Sequence, residues 1–155
     1  MSKLISTFVS VSADPVDLGA LIAKTHQSKD GAVVLFIGAV RNRNDGHDVL
    51  AVSYDAFGPL AERTLHEIAR ELEAQVKDPL GLSVVHRTGR LSVGETSVAI
   101  VTASPHREDA FSASRYVIEE IKRRLPVWKQ EHYVDGDSAW LQGCCLRAHD
   151  GAHHL

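Results

Sequence analysis

Apolar positions change their period several times along the chain, and each change marks an element. "LISTFVSVSA" (4–13) alternates apolar and polar residues, the two-residue period of a strand. Over "ADPVDLGALIAKTHQ" the period becomes helical. Val16, Ala20 and Ala23, with Leu21 alongside, form a stripe, and Asp14-Pro15 supplies an N-cap and a first-turn proline. "GAVVLFIGAV" (31–40) is apolar without interruption, which predicts a central strand buried on both faces. It ends at "RNRNDGHD" (41–48), too polar for core, which predicts a loop. "VLAVSYDAF" (49–57) predicts the next strand.

Gly58-Pro59 opens a second helix that runs to about Val76, with Leu60, Thr64, Leu65, Ile68 and Leu72 on one side. "LSVVHRTGRL" and "ETSVAIVTA" read as two strands of a hairpin joined near Val93-Gly94. Ser104-Pro105 repeats the cap-then-proline pattern and starts a third helix. Its apolar positions are Ala110, Phe111, Ala113, Val117, Ile121 and Leu125. Pro126 stops it, because the residue before a proline avoids the helical region. "WKQEHYV" and "SAWLQ" predict closing strands about a turn at Asp135-Gly136-Asp137. The order β-α-β-β-α-β-β-α-β-β mixes hairpins with crossover helices, which predicts an α+β domain and not a doubly wound parallel sheet.

The 155 residues suit one domain with a single core, and no repeat or linker divides them. We place the domain at 1–142 and expect 143–155 to be a flexible tail. The formal charge is −3, so a site for anions must be local and general nucleic-acid binding is not expected. "MSKLISTFVSVSADP" has no apolar stretch of signal-peptide length and no segment approaches a membrane span, which makes the cytoplasm the expected location. The two cysteines, Cys144 and Cys145, are adjacent and lack C-x-x-C spacing, so they read as reduced structural thiols. Nine histidines fall in no metal-ligand spacing, and His153 and His154 sit in the polar tail; no metal is expected.

Charge changes the picture most where elements end. Arg41 and Arg43 follow the apolar strand, His106-Arg107 opens the third helix, and Lys122, Arg123, Arg124 and Lys129 surround its end. Cations in a last helical turn are favoured by the helix dipole, which suffices for Arg123 and Arg124. Lys122 borders the apolar stripe, where it either snorkels or serves a site. Lys129 lies past the proline beside Trp128, beyond the dipole's reach. It is either a solvated strand lysine or one desolvated against the indole. His106-Arg107 is either an anion site at free helix N–H groups or an exposed turn pairing with Glu108 or Asp109. Arg41 emerges from a strand whose core fixes its stem, which suits aiming a guanidinium at a ligand.

Missing motifs narrow the chemistry. No Walker loop, dinucleotide fingerprint or nucleophile elbow occurs, and no Ser/His/Asp order suggests a triad. Any site is made of cations that bind an anion and stabilise developing negative charge.

"FIGAVR" (36–41), "VVHRTGRLSVGE" (84–95), "SPHREDAF" (104–111) and "IKRRLPVWKQE" (121–131), in this order, resemble the large, catalytic subunit of molybdopterin synthase. The resemblance covers roughly residues 5–141. It implies an α/β-hammerhead type of fold with a mixed, largely antiparallel sheet and about three helices. It further implies a homodimer in which each copy binds a small ubiquitin-like sulfur carrier. The carrier's C-terminal Gly-Gly thiocarboxylate would sulfurate cyclic pyranopterin monophosphate, building the dithiolene of molybdopterin. The enzyme would be a sulfurtransferase that needs no cofactor; the competing functions are a non-catalytic adaptor for a ubiquitin-like tail and a binding module for a phosphorylated ligand. Lys122 and Lys129 match the family's lysines at the reacting centre, with Lys122 nearest the thiocarboxylate and Lys129 on the pterin side. Arg41, His106 and Arg107 match its substrate-anion contacts, the His-Arg pair coming from the other copy. Ala39, Val40, Gln130 and Glu131 are implied as further substrate-binding positions.

Overall fold

The computed structural model describes residues 4–142. β1 (Leu4–Ser12) and α1 (Leu18–Thr25) are followed by β2 (Ala32–Ala39), β3 (Arg43–Asn44), β4 (His47–Ala56) and α2 (Gly58–Glu73). Then come β5 (Leu80–Arg87), β6 (Gly89–Ser92), β7 (Thr96–Ser104), α3 (Arg107–Arg124), β8 (Val127–Tyr133), β9 (Gly136–Asp137) and β10 (Leu141–Gln142). The first sheet has the order β1-β5-β7-β2; β1 and β5 are parallel and the other pairs antiparallel. The second sheet is antiparallel in the order β10-β8-β4-β3, with β6 also on β4 and β9 on β8. This is the expected α+β fold with mixed, largely antiparallel pairing. Cys144, Cys145, His153, His154 and the expected tail lie outside the described residues.

Two helices close the main core. α2 lays Ala61, Leu65, Ile68 and Leu72, and α3 lays Ala113, Val117 and Ile121, onto Leu82 and Val84 of β5 and Val98 and Ile100 of β7. Truncating a leucine or isoleucine of this layer to alanine costs about 2–5 kcal/mol. α1 covers part of the other face, with Leu21 against Val85, Ala99 and Val101. Among the described residues, no helix is long and apolar enough to cross a membrane.

Several expectations need correction. β2 is an edge strand, not a central one: Val33, Leu35 and Ile37 are 36%, 38% and 42% exposed on the face that α1 leaves uncovered. The strands buried throughout are β5 and, after its first residue, β7. α1 starts at Leu18, not at Pro15, because Asp17 is the residue whose carboxylate accepts from Ala20 N–H at 3.0 Å; Ala20 and Ala23 are exposed, and Leu21 and Thr25 are the buried positions. On α2, Leu60 and Thr64 are not buried, and Ala61 and Ala69 complete the stripe instead. Ser104 is the last residue of β7, and the cap of α3 is His106, with no side-chain capping bond.

The segment 41–48 is a hairpin, not an irregular loop. Asp45 (φ 48°) and Gly46 (φ 79°) both take positive φ, the geometry of a two-residue turn that matches strand twist. The long strand predicted over 82–91 breaks at Thr88. β5 stays in the first sheet, while Gly89, at φ 90°, sends β6 into the second. Arg87 holds this crossing: its guanidinium donates to Glu95 Oε1 and to the Ala13 carbonyl, each at 3.1 Å, and Glu95 also accepts from Ser92 N–H. The sequence block around His86 and Arg87 is thus largely scaffold.

Candidate functional site

Where the two sheets meet, a cleft of about 270 Å³ opens. The end of β2 and its continuation supply Gly38, Ala39, Val40 and Arg41. β3 supplies Asn44, β4 supplies Val49, Val52 and Tyr54, and β7 supplies Ser97. Lys122 comes from α3, and Lys129 and Glu131 come from β8. Pro126 explains why the two lysines meet. α3 ends with Leu125 N–H bonded to the Ile121 carbonyl at 3.0 Å, the chain turns, and β8 returns past the last helical turn.

Strand alternation sorts the rest of "WKQEHY". Lys129 and Glu131 face the cleft, opposite Tyr54 and Val52 on β4. Gln130 is therefore absent from the cleft wall, and its amide donates to the Ser138 carbonyl at 3.1 Å. Trp128 also lies on the other side and is 44% exposed, so it does not dry the cleft as its position beside Lys129 suggested.

Two of the cations, Arg41 and Lys129, are linked through one buried carboxylate. Glu131, 6% exposed, accepts from Asn44 Nδ2 at 2.8 and 2.9 Å and lies 3.4 Å from Lys129 Nζ. Asn44 in turn accepts from Arg41 Nη2 at 3.4 Å, which fixes the amide's orientation and links Arg41 to Lys129. A buried carboxylate needs such partners, since its desolvation is costly alone. Burial and the neighbouring Glu131 raise the phenol pKa of Tyr133 above its ordinary value. Burial raises that of Tyr54 as well, the Ser97 hydroxyl opposing it and Glu131 adding to it.

His86 lies in the same region. Its Nδ1 is 2.9 Å from the Arg87 carbonyl, which only accepts, so Nδ1 carries the proton and Nε2 the lone pair. Burial depresses its pKa to about 4; the hydrogen bond to Arg87 opposes this and the Lys122 charge reinforces it. His86 is a neutral neighbour of the lysine.

His106 and Arg107 are not in this cleft. They open α3, and 15 residues of helix at 1.5 Å each put Arg107 about 22 Å along the axis from Lys122. Arg123 pairs with Glu120, and Arg124 with Glu120 and with Glu71 of α2, so both serve the helix end and its packing. A Ser/His/Asp chain, unread in the sequence, does form. Ser53 Oγ is 2.6 Å from His132 Nε2, and His132 Nδ1 is 3.0 Å from Asp137. These residues lie outside the cleft wall, and they tie β4, β8 and β9 together. Sequence reasoning missed Gly38, Val49 and Val52 of the cleft lining, and the polar residues Asn44, Tyr54 and Ser97. The alternation of Val52 and Tyr54 was a usable signal for Tyr54; Asn44 and Ser97 had none.

A scaffold that gathers Lys122, Lys129 and Arg41 around a cleft with a single carboxylate among its described residues defines an α+β protein with a cationic cleft. The sequence model of the MoaE protein family matches residues 11–124, and the chain belongs to that family. It is similar to the molybdopterin synthase catalytic subunit of Synechococcus elongatus, at 42% identity over 138 residues, 89% of this chain and 84% of that one. The crystal structure of molybdopterin synthase from Staphylococcus aureus matches with a TM-score of 0.80 and 33% identity, covering 91% of this chain and 98% of that one. A protein–protein complex of subunits 1 and 2 of molybdopterin-converting factor from Helicobacter pylori contains a chain of like fold, at TM-score 0.64 and 21% identity over 84% and 87% of the two chains.

Proposed function

We propose that this chain is the catalytic subunit of a molybdopterin synthase. It transfers sulfur from the thiocarboxylated Gly-Gly terminus of a small ubiquitin-like subunit to cyclic pyranopterin monophosphate. The observation that carries the reading is the convergence of Lys122 and Lys129, from different elements, on one cleft with Arg41. The likeness to named catalytic subunits and to a two-subunit complex supports it.

Among the described residues no cysteine lines the cleft, and its serine hydroxyl is committed to the Gly38 carbonyl. The nucleophilic sulfur arrives on the partner's tail. In each round the thiocarboxylate sulfur displaces an oxygen at a precursor carbon: a carbon–sulfur bond forms, a carbon–oxygen bond breaks, and the oxygen leaves as water or with the phosphate. Water then cleaves the acyl–sulfur bond, so the sulfur stays on the precursor and the partner leaves as a carboxylate. Two rounds build the dithiolene. Negative charge develops on the acyl oxygen in the hydrolytic step, where Lys122 stabilises it. Lys129 and Arg41 hold the anionic precursor. The test mixes this chain with thiocarboxylated partner and precursor; dithiolene product is expected. Tail binding without product or precursor affinity would leave an adaptor instead.

The active form is a homodimer with composite sites. β2 presents a free edge and an apolar stripe, Val33, Leu35 and Ile37. Its far end, Ala32, pairs with Ser104 just before His106-Arg107, whereas its near end runs into the cleft at Ala39. An isologous antiparallel contact along this edge exchanges the two ends, bringing the partner copy's His106 and Arg107 towards Arg41. Mixing inactive Arg107→Ala with inactive Lys122→Ala is then expected to restore about a quarter of wild-type turnover, since half the dimers carry one intact site. No recovery after verified subunit exchange would place Arg107 outside the partner's site.

A further inference from the structure

We propose that Asn44 is a positioning residue for the cleft, a neutral spacer that keeps the Arg41 guanidinium from pairing with the buried Glu131 and leaves it open to an anionic ligand. The role rests on the functional reading above only for its kinetic consequence. The geometry stands by itself.

Asn44 stands between opposite charges. Its Nδ2 donates to both Glu131 oxygens, at 2.8 and 2.9 Å, and its Oδ1 accepts from Arg41 Nη2 at 3.4 Å. A side-chain amide can face a carboxylate with a donor and a guanidinium with an acceptor while adding no charge. The reverse orientation would set oxygen against carboxylate and NH2 against guanidinium, so the two neighbours fix the amide. Among the described lining residues Glu131 is the one anion, beside Arg41, Lys122 and Lys129. Lys129 Nζ lies 3.4 Å from Glu131, so the two shorter bonds from Asn44 do most to satisfy the buried carboxylate. Without them Glu131 would need another donor, because a buried charge left short of hydrogen bonds is costly. Arg41 stands one amide group away, and its fork matches a carboxylate. An Arg41–Glu131 pair would replace a cation of the cleft by a neutral couple.

The β3–β4 hairpin delivers the amide. Asp45 and Gly46, both at positive φ, turn the chain so that Asn44 pairs with His47 and Arg43 with Asp48. The Arg43 guanidinium donates to Asp48 at 3.1 Å, and Val49 N–H to the Asn42 carbonyl at 2.9 Å. The hairpin is also tied to the end of β8. His47 lies against Tyr133, with ring centroids 4.9 Å apart, and Val134 N–H bonds to the Asp48 carbonyl at 3.0 Å. Tyr133 is two residues from Glu131 and so on the same side of its strand. The contact that seats His47 therefore also seats Asn44 over the carboxylate.

Asn44→Ala removes the spacer. It is expected to raise KM for the pterin precursor about tenfold, the worth of a hydrogen bond to a charged group, with kcat within about threefold of wild type. Asn44→Asp keeps the shape and adds a second anion to the cleft, so KM should rise at least as far. Glu131→Gln in the Asn44→Ala background removes the competitor for Arg41 and should return KM to within about threefold of wild type. A hairpin merely loosened by the first substitution would show no such recovery. A crystal structure of Asn44→Ala is expected to place the Arg41 guanidinium within about 4 Å of the Glu131 carboxylate. This readout needs no turnover, so an inactive wild-type protein would fail the functional reading and leave this one decided by the structure. Should the alanine variant fail to fold, the isosteric Asn44→Asp decides by its KM. A guanidinium that stays apart in Asn44→Ala would overturn the proposal. So would wild-type KM in Asn44→Ala or Asn44→Asp, or a double variant no better than Asn44→Ala.

Discussion

Alanine at Lys122 is expected to lower turnover by about 100-fold or more, the range found when one charge-stabilising donor is removed from a reacting centre. The lysine is exposed on the last turn of α3 and reaches the cleft from there, so its loss should leave the fold intact. The loss should fall mainly on kcat, because charge on the acyl oxygen appears only after sulfur has moved. Lys129→Ala should differ in kind. Lys129 is 3.4 Å from the buried Glu131, and its removal leaves a carboxylate in the cleft with one cation fewer. The precursor is an anion, so KM should rise along with the fall in kcat. Glu131→Gln in the Lys129→Ala background should recover part of the KM. Steady-state kinetics with thiocarboxylated partner would check both. Rates within about threefold of wild type in either single variant would remove that lysine from the chemistry.

Acidification should destabilise the protein through His86. Its pKa in the folded chain is lowered to about 4 from an ordinary value of 6.5, chiefly by burial. Above pH 6.5 the imidazole is neutral in both folded and unfolded chains, and it contributes no pH dependence. Between 6.5 and 4 the unfolded chain binds a proton that the folded chain refuses, so stability falls as pH falls. Below 4 both forms are protonated and this loss stops growing. The shift corresponds to about 3 kcal/mol across the window, a large share of a domain's total stability. Denaturant unfolding at a series of pH values would measure it. His86→Asn, whose side-chain N–H can replace Nδ1–H towards the Arg87 carbonyl, should flatten that segment of the curve. An unchanged slope would show that other groups carry the acid sensitivity. Because the Lys122 charge also lowers this pKa, Lys122→Ala should move the histidine's NMR titration upwards.

Much of the scaffold could be read from local signals. Pro126 both ends α3 and turns the chain, so the meeting of Lys122 and Lys129 followed from one residue with a fixed φ and no N–H. Strand period two, applied strictly, would have excluded Gln130 and Trp128 from the cleft, since both alternate with Lys129. Helix starts were less legible. Asp14, Asp17 and Ser104 are all competent caps, and which one acts depends on where the preceding strand lets go. The edge position of β2 could not be read at all. Its apolar run equals that of β5 or β7, and a face reserved for contact looks in sequence like a face already buried.

By itself the sequence determined the elements and their chemistry, because hydrophobic period, proline and glycine act over a few residues. It also determined that any site would be cationic, since the blocks at the ends of β2 and α3 hold no nucleophile of their own. Tertiary structure alone decided which of those cations share a cleft, because sheet order and helix length set distances that no local pattern encodes. It separated Arg107 from Lys122 by the length of α3, and it joined Arg41 to Lys129 through Asn44 and Glu131, 87 positions apart in the chain. It also placed Tyr54 and Ser97 together, which required the two sheets to meet.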